Sequence, residues 1–374
     1  MIPPYPPAHA VAPRIEAHFA QRGPTLDGVT VPPPTAADVE RVIDAAFWAS
    51  LRREEGFVPR ISLALLPPSA AVRPLTFARP LPLDPETLTR MAPAVDRPGI
   101  HLGVWQGEGG LSVWGTLRSL PSFCFVLEVA GPGLLVVKDA RGEETGKFVN
   151  VAVLEGDRIK VLDERAARLP ECPDLLASLL GFDKSIPSAE SVGVLAQVAI
   201  SMRAHGRGGL LLVVPAGTER WRESILPHIP YPVSPPFSEM EEVLAAEGDW
   251  RGRPEWREAM RHSVDALAGL TAVDGATVIT FSYEVLAFGA KIMRRRGADP
   301  VQQVVTLEPV EGAQPAAVDA TQLGGTRHQS AAQFVQDQPD ALALVASQDG
   351  RFTMLAWAQA DAMVHAYRVE ALLL

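Results

Sequence analysis

The apolar residues of this chain come in short runs, each cut off by Gly, Pro or Asp. "VGVLAQVAI" and "GGLLLVVPA" are among the longest, and a bilayer-spanning helix needs about 18 such residues in succession. Runs of this size between turn residues have the length of buried strands. The chain is therefore expected to bury them in strands and helices of its own cores, with no membrane partner. Hydrophobic residues make up 47% of the 374, which excludes general disorder and allows two cores of ordinary domain size.

The runs fall into two sets. Residues 1–34 form a Pro-rich lead; the chain has 34 prolines, crowded into "MIPPYPPAHAVAP", "VPPPT" and "HIPYPVSPPF", and these predict extended linkers and loops. "TAADVERVIDAAFWASLRREEG" predicts a helix capped by Thr35, with Val39, Val42, Ile43, Ala46 and Phe47 at helical spacing and Phe47 and Trp48 packed in a core. Strands are then expected in "RISLALLPP", "GIHLGVW", "LSVWGTL", "SFCFVLEVA", "GLLVVKDA" and "NVAVLEGDRIKVL", with a turn at Gly131 and Gly133. Residues 35–165 thus read as a β-rich N-terminal domain, and 166–187 as a linker helix. Over 188–374, helices such as "SAESVGVLAQVAISMRA" and "RPEWREAMRHSVDALAGL" mix with strands such as "GLLLVVPAG", "ATVITF" and "DALALVA" without strict alternation. That pattern predicts an α/β (α+β) fold with a mixed central sheet flanked by helices.

Charge and cysteine usage narrow the function classes. A net charge of −10 argues against a broad nucleic-acid-binding face, which needs clustered Lys and Arg; "MRRRG" at 293–297 reads as the solvated end of a helix. The two cysteines, Cys124 and Cys172, are far apart and not in a CxxC pair, so neither a disulfide framework nor a zinc site is expected. Cys124, inside "SFCFVL", reads as core. With no signal-peptide pattern, a cytoplasmic location is the expectation. No GxSxG, HExxH, GxxxxGK[ST] or GxGxxG motif stands in a suitable context.

One stretch concentrates chemistry. "LGGTRHQSAAQF" places Gly324, Gly325, Thr326, Arg327 and His328 side by side and continues from Gln329 as a helix. Glycines admit a ligand close to the backbone, and helix-start N–H groups favour an anion. Thr326 adds a hydroxyl, Arg327 a planar fork for phosphate oxygens, and His328 a donor that can become charged. The segment is expected to be an anion pocket; the alternative is a capped helix with a polar first turn. In "LTAVDGATVIT", Asp274–Gly275–Ala276 is either a two-residue hairpin turn or a carboxylate at a strand start that contacts a metal ion or a ribose hydroxyl. In "LVASQDGRFTM", Ser347 and Gln348 stand at the exit of a buried strand, where Gln348–Asp349–Gly350 is otherwise a simple turn.

Together these three stretches resemble diadenylate cyclase domains, as found in the bacterial DNA-integrity scanning proteins. Those domains carry a DGA motif, a GTRHR motif entering a helix, and a strand ending in Ser–Glu before a Gly-containing turn. Asp274–Gly275–Ala276 matches the first, Gly325–His328 most of the second, and "DALALVASQDG" the third in form, across residues 188–374. The whole chain resembles the sensor proteins called DACNV, a divergent branch of that superfamily. The resemblance implies a nucleotide pocket formed by Asp274, Gly275, Ala276, Gly324, Gly325, Thr326, Arg327, His328, Gln329, Ser347 and Gln348. It implies Asp274 as metal ligand and catalytic residue where cyclase activity is retained, Mg²⁺ or Mn²⁺ as cofactor, and a facing homo-oligomer. It also implies a protein partner in a bacterial defence or stress system.

Two departures change what is expected. Gln329 stands where the cyclases have a second Arg, and Gln348 where they have the acidic partner. The second exchange removes a negative metal ligand, and the first a charged phosphate contact of about 1.5–3 kcal/mol. Phosphate cradling survives and the metal site is weakened. The expectation is a nucleotide-sensing module that binds ATP or a cyclic or linear dinucleotide. An active cyclase making cyclic di-AMP, and a non-catalytic interaction scaffold, are the alternatives.

Overall fold

The computed structural model describes residues 3–21, 31–107, 109–141, 148–163, 176, 189–245 and 253–374. It divides into two compact units, residues 1–162 with 374, and 163–373. The linker helix expected over 166–187 lies outside the described residues apart from Leu176, as does Cys172.

The first unit is built on an eight-stranded sheet. Its strands are β1 (Ile61–Leu65), β2 (Leu75–Pro82), β3 (His101–Gly107), β4 (Gly110–Leu117), β5 (Phe125–Gly131), β6 (Leu134–Ala140), β7 (Phe148–Glu155) and β8 (Arg158–Val161). They run in the order β2-β4-β3-β1-β5-β6-β7-β8, and β1 with β3 is the parallel pair. Helices α1 (Pro6–Ala20), α2 (Ala36–Ser50) and α3 (Pro85–Val95) supply one side of the core, where Ile15, Ile43 and Leu88 join Leu63, Leu102 and Leu127, all fully buried. Each such side chain contributes about 1.5–3 kcal/mol relative to exposure. Thr35 caps α2 as its sequence predicts, its hydroxyl accepting from the Asp38 N–H at 3.2 Å. Cys124 is fully buried and the surrounding protein pushes its thiol well above the usual range.

The Pro-rich lead is not an extended linker. Pro6 and Pro7 occupy the first positions of α1, where a missing N–H costs no hydrogen bond and a fixed φ suits the helix. Val11, Ala12, Ile15 and Phe19 then anchor that helix in the core.

The second unit holds a nine-stranded sheet. Its strands are β9 (Gly209–Val214), β10 (Tyr231–Phe237), β11 (Ala276–Thr280), β12 (Val285–Ala290), β13 (Gln303–Leu307), β14 (Ala316–Asp319), β15 (Leu342–Ala346), β16 (Phe352–Ala358) and β17 (Met363–Arg368). Their order is β10-β12-β11-β9-β15-β16-β17-β13-β14. The pairs β9/β11 and β13/β17 are parallel, so the sheet is mixed. Helices α4 (Ala189–Ala204), α5 (Glu239–Ala245), α6 (Pro254–Thr271) and α7 (Thr326–Asp337) accompany it. Ala331, Phe334 and Val335 of α7 pack with Leu210, Leu212 and Val345. Leu211 and Val213, also buried, point to the other face because strand side chains alternate; α6 lies against β9, β11 and β12, and α4 against β15. Helices therefore cover both faces, and the α/β (α+β) expectation holds.

Three local expectations change. "HIPYPVSPPF" contains β10, an edge strand paired only with β12, a position in a sheet that tolerates Pro. "MRRRG" is a loop after β12, not a helix end; the Arg295 N–H donates to the buried Asp337 carboxylate at 2.7 Å. Asp274–Gly275 links α6 to β11 and is not a hairpin turn.

Gly115 of β4 lies opposite Thr76 of β2, and a Cβ there would sit 2.2 Å from the Leu75 carbonyl oxygen. Gly115→Ala is expected to detach β2 and lower unfolding free energy by about 2–3 kcal/mol. Gly269→Ala in α6, where a Cβ meets nothing within 4 Å, is expected to raise it by up to about 1 kcal/mol. Denaturant midpoints of the two variants check the contrast.

Candidate functional site

Strand register brings the predicted residues to one end of the second sheet. In the parallel pair β9/β11, Thr277 lies beside Leu211; three residues earlier, the same register sets Asp274 beside Gly208. In the antiparallel pair β9/β15, Ala346 lies beside Gly209, so Ser347 emerges next to Gly208. On the other side Ala276 lies beside Ala290 of β12, which delivers Lys291 next to Gly275. Neighbouring strands are about 4.8 Å apart, so Lys291, Asp274, Gly208 and Ser347 cover three steps, roughly 15 Å, the width of a nucleotide-sized site.

Two glycines hold this end together. Gly275 has φ +119, and a Cβ there would lie 2.4 Å from the Gly289 carbonyl carbon. Gly208 has φ +72, and its Cβ would meet Arg327 Nη1 at 2.8 Å, with the Ala346 oxygen and Gln348 Cγ both at 3.3 Å. The Arg327 guanidinium thus lies over bare backbone at the mouth of β9 and β15. Arg327 and Gln348 both lie beside Gly208, and Arg327 is near enough to help hold down the Asp274 carboxyl.

Arg327 is half-buried and makes no hydrogen bond or ion pair to a described residue. It opens α7, whose N-cap Gly325 offers no side chain to the first turn. The His328 and Gln329 N–H groups both turn back to the Gly325 carbonyl. Those of Thr326 and Arg327 have no partner among the described residues. Thr326 and Gln329 are exposed, and the Gln329 amide bends back toward the Gly324 carbonyl at 3.4 Å. Gln329 also lines a cavity of about 290 Å³ with Ile292, Arg294, Thr321, Ser330 and Gln333.

His328 does not join the anion donors. It is 5% exposed, its Nε2 lies 3.2 Å from the Thr353 hydroxyl, and its ring fills the space where a Gly324 side chain would begin. It anchors the loop from beneath, because the helical turn that exposes Thr326 and Gln329 sends residue 328 toward β16. Ser347 and Gln348 form a turn closed by the Ser347 N–H to the Arg351 carbonyl at 2.9 Å, and the exposed Gln348 amide donates to the Arg207 carbonyl at 3.3 Å.

Asp274 is exposed, with its carboxylate 2.6 Å from Lys291 Nζ. The Lys291 hydrogen bond first, and its charge second, hold the carboxyl below its usual range. This donor set does not fit Mg²⁺ or Mn²⁺, which call for oxygen ligands with carboxylate charge. Among the candidate residues the single carboxylate is engaged by an ammonium, and residue 348 is a neutral amide. Among the described residues no three His, Cys, Asp or Glu side chains gather as a metal-ligand set.

Lys291, Gly208 and Tyr231 were not among the sequence candidates. The Tyr231 ring stacks on Phe288 with centroids 4.7 Å apart and lies against Gly289, whose neighbours include the Asp274 carbonyl. It is 49% exposed. The sequence signal for it, a Tyr among prolines, reads equally as a loop.

The first unit has a cavity of its own, about 470 Å³, lined by Glu54, Glu55, Phe57, Arg60, Pro93 and Asp96 among others.

Burial, the largest influence, keeps the His328 imidazole below its ordinary range, with Asp349 opposing and Arg368 and Arg351 reinforcing. The unfolded chain takes up this proton near about pH 6.5 while the folded chain resists it. The sign is therefore loss of stability as pH falls below about 6.5. His328→Gln is expected to flatten that part of the pH dependence, as read from denaturant midpoints between neutral and mildly acidic buffer.

No curated protein matches the chain. The cyclase resemblance of residues 188–374 therefore rests on its own motifs. Over residues 29–118 the resemblance to DACNV proteins is borne out: they match the family model described as "Probable sensor domain DACNV".

Proposed function

We propose that residues 163–373 bind the phosphates of a nucleotide, either ATP or a cyclic or linear dinucleotide, and that the chain acts as a sensor of that ligand. The observation that carries this reading is the half-buried Arg327 guanidinium with no protein partner among the described residues. It stands where two helix-start N–H groups are also unpaired. A guanidinium cannot shed its charge, and leaving it partly desolvated is costly unless an anion meets it. The N-terminal dipole of α7 favours the same charge. The Tyr231–Phe288 stack offers a flat apolar face for a base at the Lys291 end of the row.

Binding is favoured over turnover by the donor set. Joining two ATP molecules requires attack of a hydroxyl on an α-phosphate, with developing charge neutralised by metal. Asp274 alone, already paired with Lys291, supplies little for that step. The match of residues 29–118 to a sensor family agrees with a sensing role for the whole chain. In this reading the N-terminal unit passes the signal on or localises it, and a partner in a bacterial defence or stress system is what the family resemblance adds.

Isothermal titration with ATP and cyclic di-AMP tests the proposal. Binding is expected for at least one of them, weakened about 10- to 100-fold by Arg327→Ala, the equivalent of losing about 1.5–3 kcal/mol of charged hydrogen bonding. Incubation with ATP and Mn²⁺ is expected to yield no cyclic di-AMP. Robust synthesis abolished by Asp274→Asn would make the protein an active cyclase. No binding of either nucleotide would leave a scaffold role.

A further inference from the structure

The cation nearest the DGA carboxylate is a side chain of the protein itself. Lys291 Nζ sits 2.6 Å from Asp274 Oδ2, delivered there by the β11/β12 register that pairs Ala276 with Ala290. An ammonium has three donors; Asp274 takes one, and with Lys291 47% exposed the others are open to a ligand. Arg327, over Gly208, is the second cation. Between the mouths of β12 and β9 lie two strand steps, about 10 Å of backbone, which the two long side chains can bridge around a chain of two or three phosphates.

From this arrangement we infer that the site recognises its phosphate ligand without a divalent metal, using Lys291 and Arg327 as its fixed cations and Asp274 as the tether that aims Lys291. The inference rests on the nucleotide reading given above and goes beyond it in naming what neutralises the ligand. Charge supports it. Lys291 and Arg327 contribute +1 each and Asp274 contributes −1, so the trio carries +1 before any ligand arrives. A divalent ion at Asp274 would have to displace the ammonium and then share the space with a repelling guanidinium. At the row's far end Gln348, standing in place of the family's acid, adds no charge, and its amide N–H group is turned to the Arg207 carbonyl. The ligand class that suits such a site is a free polyphosphate, or a phosphodiester pair, with its full negative charge exposed. It would also reverse the role of Asp274: in a metal site that carboxylate attracts the ligand through the ion, whereas here it draws charge away from the ligand.

The experiment is titration of the full chain with ATP and with cyclic di-AMP, once with excess EDTA and once with millimolar Mg²⁺. The expected result is binding in EDTA at least as tight as in Mg²⁺, since metal-free ATP keeps more negative charge. Lys291→Ala is expected to weaken binding about tenfold or more in both buffers, and Lys291→Arg to retain most of it. Asp274→Asn, which keeps an oxygen to aim Lys291 and removes the opposing negative charge, is expected to bind equally or several-fold more tightly. Binding that appears only with Mg²⁺, or that Asp274→Asn abolishes, overturns the metal-free inference and leaves the nucleotide reading standing. Absence of binding in both buffers, with the far-ultraviolet spectrum and unfolding midpoint of a folded protein, overturns both.

Discussion

A parallel pairing at the heart of the nine-stranded sheet is the constraint on which the candidate site depends. Because β9 and β11 run side by side in the same direction, both begin at the same end of the sheet. Their outer neighbours β15 and β12 are antiparallel to them, so those two strands finish at that end. Two strand starts and two strand finishes thus meet in one row. The chain segments that bring Gly208, Asp274, Lys291 and Ser347 there are far apart in sequence and need no long loop to converge. Helix α7 closes the arrangement: its apolar side, with Phe334 and Val335, is packed in the core, which sets the start of the helix, and with it Arg327, over Gly208.

That packing also divides labour within a five-residue motif. Gly325 starts the helix with nothing to cap it, Thr326 faces solvent, Arg327 reaches the strand ends, and His328 goes inward to Thr353. In the sequence Thr326, Arg327 and His328 look like equivalent polar donors. Their separation follows from the roughly 100° turn between successive helical residues, combined with a sheet on one side only. Burying the imidazole favours its neutral form and makes it a support for the loop. The motif's spacing is visible in the sequence; which member faces the strand ends and which turns inward depends on the sheet.

The same distinction explains what was legible elsewhere. Strands such as "GLLLVV" and the Thr35-capped helix follow from local periodicity and capping, and they stand where expected. Proline misleads in two places for two reasons. At Pro6 and Pro7 it begins a helix, and in "YPVSPPF" it sits on a sheet edge; in both positions the absent N–H has no partner to lose. Lys291 is invisible as a site residue because its partner is 17 positions away and the two meet only once β11 and β12 pair. Asp274–Gly275 looks like a hairpin turn when read alone, and the residues before it, which form α6, are what rule that out.

If phosphate recognition at this sheet end is the purpose of the row, its most direct test is a crystal structure of the full chain with bound ATP or cyclic di-AMP. The account predicts phosphate oxygens about 3 Å from the Thr326 and Arg327 N–H groups, in contact with the Arg327 guanidinium, and His328 still turned to Thr353. A nucleotide seated elsewhere, for example in the cavity lined by Glu54, Phe57 and Arg60, with Arg327 untouched, would contradict it.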